Sequence, residues 1–92
     1  MTSTADNLTV RNISGYFVND HMDRQPGGEP VEITKTHKRG SVDVEGTRKQ
    51  IDGLLADASY YADPYGPDML PDGLKASAQR VAKRLAAEGF GV

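Results

Sequence analysis

Asp20-His21-Met22-Asp23 places two carboxylates and an imidazole within four residues. An imidazole titrates near neutral pH and ligates metals, and a flanking carboxylate can orient it or share its proton. In an extended segment His21 and Asp23 would point the same way. A metal centre needs three or four ligands, however, and nothing else in the chain is spaced to complete a set. The segment therefore reads as a polar connecting loop.

Lys35-Thr36-His37-Lys38-Arg39-Gly40 is the second group. A basic hairpin tip can enter a groove or contact phosphates. The plainer reading is solvated charge, with lysine discouraging edge pairing and His37 exposed in a loop. Tyr60-Tyr61-Ala62-Asp63-Pro64-Tyr65-Gly66-Pro67-Asp68 is the third. Tyrosine offers a large contact area at low entropy cost and is enriched where proteins bind one another. One of the helix tyrosines is expected to cap the core instead. Lys75, Arg80, Lys83 and Arg84 make a basic face opposite an apolar stripe. A basic helix can read a DNA groove, yet the linker before it is about twice the length of a helix-turn-helix turn. Gly27-Gly28 leads into Glu29-Pro30, a strand opening, rather than into the helix start that a phosphate loop requires. The serines have no neighbouring base to activate them.

These groups must be held by a small fold. The chain has 92 residues, which is room for one domain. Leu, Ile, Val and Phe number 18, so the core is thin, and a homodimer that buries more apolar surface is a reasonable expectation. There is no cysteine, hence no disulfide and no thiolate ligand or nucleophile, which fits a cytoplasmic setting. The first residues carry neither a basic nor an apolar block, so no signal peptide is expected. No apolar run approaches membrane-span length. Thirteen acidic residues outnumber eleven basic ones, which argues against generic phosphate binding across the whole surface.

Periodicity places the elements. Residues 1–7 read as a disordered tail. Leu8 to Val18 reads as one bent strand, interrupted at Ser14-Gly15 by a bulge or turn, and 19–29 as a loop with Pro26-Gly27-Gly28 turn chemistry. Val31 to Thr36 alternates, and Val42 and Val44 resume the alternation after the tip. Parity favours a four-residue loop, 37–40, which pairs Ile33 with Val44 and Lys35 with Val42. Gly40 is available there for positive φ. From Glu45 or Gly46 to Ala62 the apolar period becomes helical, through Ile51, Leu54, Leu55 and Ala58, weakened by Gly46 and Gly53. Asp63-Pro64 ends that helix. Pro71 opens a second helix with Leu74, Ala78, Val81, Ala82 and Leu85 as its stripe. Gly89 closes it, and Phe90 folds back on its last turn.

Over this C-terminal half, Ile51-x-x-Leu54-x-x-Asp57-Ala58-x-Tyr60-Tyr61-Ala62-Asp63, Gly66-Pro67-Asp68 and Pro71-x-Gly73-Leu74-x-Ala76-Ser77-Ala78-x-Arg80 resemble small uncharacterised proteins of actinobacteria and their phages. The resemblance implies the setting of a small accessory or phage-encoded protein, and it implies no catalytic residue.

The expected fold is α+β: a three-stranded antiparallel sheet followed by a helical hairpin, with residues 8–92 as one domain. The expected function is non-catalytic. The chain would bind a host or phage protein through Tyr60, Tyr61, Tyr65 and Asp68, with no cofactor or metal and no membrane. The alternative is a nucleic-acid-binding regulator that uses Lys35, Lys38, Arg39, Lys83 and Arg84.

Overall fold

A strand, β1 (Asn7–Ser14), runs directly into a helix, α1 (Gly15–Arg24), and the next two strands, β2 (Glu32–Thr36) and β3 (Ser41–Thr47), form a hairpin. Two further helices follow, α2 (Arg48–Ala62) and α3 (Leu74–Ala87). A computed structural model describes residues 7–24 and 30–91 of the chain. Of the tail expected at 1–7, residues 1–6 lie outside the described residues, as does the Pro26-Gly27-Gly28 turn, while Asn7 belongs to β1.

The sheet is antiparallel with order β1-β3-β2, so the fold is α+β as the pattern predicted. Val10, Ile13, Val31, Val42 and Val44 leave one sheet face for the core, where Phe17, Val18, Ile51, Leu54, Ala58, Leu74, Val81 and Leu85 meet them. The residues between them, Thr9, Arg11, Asp43 and Glu45, stay on the polar side. That alternation is what a sheet covered on one face requires.

The main correction concerns residues 15–24, which are helix rather than the continuation of a strand and a loop. Phe17 and His21 are four apart and buried; Val18 and Met22 are four apart, one buried and one half-buried. This is a helical period. Phe17 and Val18 carry β-propensity that masks it, and tertiary burial outweighs propensity. Ser14-Gly15 is accordingly the strand-to-helix junction. Gly15 donates its amide to the Gly40 carbonyl at 3.0 Å, and a Cβ on Gly15 would collide with that same carbonyl oxygen. The bulge lies earlier, between Val10 and Ile13, where Asn12 takes φ 59°. Val10 and Ile13 are three apart and both face the core, which a strand achieves only with an extra residue. Asparagine tolerates the left-handed conformation better than most residues.

The hairpin departs from the expected register near its tip and recovers it farther in. Thr36 pairs with Val42, not Lys35 as parity suggested, and Lys35 pairs with Asp43. The register then slips between Lys35 and Ile33, and Ile33 pairs with Val44 as expected. A bulge at Thr34 thus reconciles a tight turn with an apolar set on one face. Gly40 adopts φ 88° at the tip.

Helix α2 begins later than its period suggested, because Gly46 is a buried strand residue and Thr47 caps the helix. The Thr47 hydroxyl accepts from the Gln50 amide at 3.2 Å, and the Gln50 side chain accepts from the Thr47 amide at 2.9 Å. Thr47-x-x-Gln50 is the sequence signature of that reciprocal cap. Helix α3 starts at Leu74 with Gly73 as its N-cap, so Pro71 precedes the helix and only turns the chain toward it. Its end is as expected: Phe90 donates to Leu85 and Gly89 to Ala86, and the Phe90 side chain is buried.

Gly15→Ala should destabilise the fold by about 2–3 kcal/mol, because the methyl group meets backbone that cannot rotate away. Gly53 lies exposed inside α2 with nothing within 4 Å of an added Cβ. Gly53→Ala should therefore stabilise by about 0.5–1 kcal/mol. Urea unfolding of the two variants checks both signs.

Candidate functional site

Helix α2 ends at Ala62, and the chain from Asp63 to Gly73 crosses to α3 in the open. Tyr65 is 96% exposed, Met69 92% and Tyr60 60%. Such exposure of large apolar side chains is a cost in water that a partner can relieve. The backbone beneath them is well held. Asp63 accepts the Tyr65 amide on its carboxylate at 2.8 Å and the Gly66 amide on its carbonyl at 2.9 Å. The Lys75 ammonium donates to the carbonyls of Tyr61 and Asp63 at 3.0 and 2.8 Å. Lys75 was expected on a solvated basic face; it closes the last turn of α2 instead, where carbonyls lack helical partners. Asp68 is exposed in the same segment.

Tyr61 differs from its neighbours. It is half-buried and packs edge-on against Phe17, with ring centroids 5.5 Å apart. The Arg24 guanidinium lies 4.5 Å from its ring centre. Burial pushes the Tyr61 hydroxyl above its usual titration range. Of the tyrosines expected to make contacts, Tyr61 therefore anchors the loop, while Tyr60 and Tyr65 face outward.

His21 sits on the inner side of α1 and is 2% exposed, not in a connecting loop. Its Nδ1 donates to the Asp57 carboxylate of α2 at 2.7 Å. Arg24 grips the same carboxylate with two nitrogens, at 2.7 and 3.3 Å, and Asp20 with a third at 2.8 Å. Burial alone would raise the Asp57 carboxyl, but hydrogen bonds from Arg24 and His21 overcome it and hold it below the usual carboxylate range. The cluster ties α1 to α2. Asp23 stays exposed outside it. Among the described residues no group of three or more His, Asp and Glu side chains is arranged to hold a metal ion. Asp57 and Arg24 were missed as partners because each pairs across the fold; the one local signal was the four-residue spacing of Asp20 and Arg24.

The basic residues do not form one stripe. Lys35 lines a hollow on the polar sheet face with Arg11, His37 and Asp43. His37 is half-buried there, contrary to its reading as an exposed loop residue, and donates to Asp43 at 2.8 Å. That imidazole and the Asn12 amide lower the Asp43 carboxyl. Lys38 and Lys83 are exposed, on the hairpin tip and on α3. Arg84 pairs with Glu88 at 3.1 Å and donates to the Asn12 carbonyl at 3.3 Å. Arg39 comes together with Arg80, at a cleft beside the β1–α1 junction.

Ser77, an unremarked position on the α3 stripe, is buried and accepts the Phe17 amide at 2.9 Å. It docks the start of α1 on α3. A small polar residue within an apolar stripe was its only trace in the sequence.

No helix among the described residues is long and apolar enough to cross a membrane. No family model, curated protein or solved structure matches the chain.

Asp57→Asn should cost about 1–3 kcal/mol at neutral pH, because Arg24 and His21 lose a charged acceptor. The sign with pH follows from the lowered carboxyl. Its contribution is present above the unfolded value near 3.9 and is lost as pH falls through the lower folded value. The gap between the parent protein and the variant should hold at pH 5–7 and close on acidification below about pH 4. Denaturant unfolding at several pH values measures it.

Proposed function

We propose that this chain is a non-catalytic accessory protein that binds another protein through the segment joining α2 to α3. The observation that carries the reading is the exposure of Tyr65 and Met69, 96% and 92%, in a segment whose first residues, up to Gly66, are held by Lys75 and Asp63. A preformed loop loses little conformational freedom on docking, so its apolar area converts to affinity efficiently. Tyr60 extends the contact along the last turn of α2, and Asp68 supplies a polar edge. Tyr61 supports them from below rather than touching the partner. The resemblance of residues 51–80 to small actinobacterial and phage proteins supports an accessory role toward a host or phage protein in the cytoplasm.

The test separates contact from folding. Tyr65→Ala combined with Met69→Ala removes two outward side chains and should leave the thermal midpoint within about 1–2 °C. Tyr61→Ala should lower stability by about 1–3 kcal/mol through lost packing. In capture from actinobacterial lysate treated with nuclease, the parent chain should retain a discrete protein and the double variant should lose it. Equal retention by the folded double variant overturns the assignment.

A further inference from the structure

We propose that the cleft between the hairpin tip, the β1–α1 junction and α3 binds the phosphate group of a nucleotide. The proposal goes beyond the protein-docking reading and does not depend on it. The cleft has a volume of about 330 Å³ and is lined by Asn12, Ser14, Tyr16, Arg39, Ser41 and Arg80, with the Gly40 backbone. Among the described residues no carboxylate lines it. Two other surface hollows contrast with it: one carries Glu32 and Glu45, the other Asp43.

The two arginines share this wall. Among the described residues neither Arg39 nor Arg80 forms an ion pair, whereas Arg24 and Arg84 both do. Two guanidinium groups lining one cleft give it positive charge, which attracts an anion. A guanidinium offers a planar fork of donors that matches a phosphate's oxygens.

A hydroxyl relay adds a donor. The Ser77 oxygen accepts the Phe17 amide and shares a hydrogen bond with the Ser14 hydroxyl in which either oxygen can donate. When Ser77 donates, the Ser14 proton is left for a ligand in the cleft. Ser41 and the Asn12 amide group provide further donors on the same wall. Tyr16 completes the class of ligand. The residue is 48% exposed and lines the cleft, with one ring edge near Gly73, and its aromatic ring is a group on which a base can stack beside the phosphate. The volume lies at the small end of ligand sites and suits one nucleotide unit.

The nucleotide can be free or be the end of a strand, and titration distinguishes the two. The folded chain is titrated with inorganic phosphate, a nucleoside monophosphate, and a short single strand bearing either a 5′-phosphate or a 5′-hydroxyl. Amide shifts of Ser14, Tyr16, Gly40 and Ser41 are followed by NMR. The monophosphate should shift these residues, and Arg39→Ala or Arg80→Ala should each weaken it about tenfold to a hundredfold. Tyr16→Ala should weaken the monophosphate more than inorganic phosphate. A 5′-phosphorylated strand that binds at least as tightly as the monophosphate, with its hydroxyl counterpart losing affinity, assigns a strand end. Binding of the monophosphate alone assigns a free nucleotide. Arg80→Lys keeps the charge and guards against a folding defect; it should recover only part of the affinity. Absence of shifts at the cleft with all of these ligands overturns the proposal. So does unaltered affinity in both alanine variants. Loss of partner capture through Tyr65 and Met69 would leave this result untouched.

Discussion

Gly15 donates its amide to the carbonyl of Gly40 at a point where no side chain could stand between the two backbones. That contact joins the end of β1 to the tip of the β2–β3 hairpin. It fixes where α1 begins and therefore which of its faces is buried. Phe17, Val18 and His21 then point into the core, and the Phe17 amide meets Ser77 of α3. The contact also sets the hairpin tip beside α3, so that Arg39 and Arg80 share a cleft. The relation between sheet and helices depends on this one close approach.

From α1 the organisation passes to the loop. Asp57 accepts from His21 and Arg24, and Arg24 lies over the Tyr61 ring. Tyr61 in turn packs on Phe17 and its carbonyl takes the Lys75 ammonium. A charged network at the edge of the core thus reaches the backbone that leads into Tyr65. The imidazole that suggested chemistry is used as structure: a half-buried carboxylate needs several donors, and His21 is one of them.

The legible parts of the sequence were those with sustained period or strong capping chemistry. The stripes of α2 and α3, the Gly89-Phe90 closure and the Ile33–Val44 pairing follow from local pattern, because burial of one face forces the spacing. Short elements were harder. Ten residues of α1 carry only about three turns, and their aromatic and β-branched start favours a strand locally. Thr47-Gln50 and the Val10–Ile13 spacing were readable signals that a simple apolar count passed over. Tyr60 and Tyr65 face outward, whereas Tyr61 acquires partners from a distant element and His37 one from across its hairpin.

By itself the sequence determined the α+β class, the single thin core and the positions of the long helices, since these depend on composition and on periods within one segment. Only the tertiary structure decided that residues 15–24 form a helix, that Asp57 gathers His21 and Arg24, and that Arg39 and Arg80 line one cleft. Each of those rests on contacts between residues far apart in the chain, and local propensity has no access to the energy of such contacts until the backbone has closed.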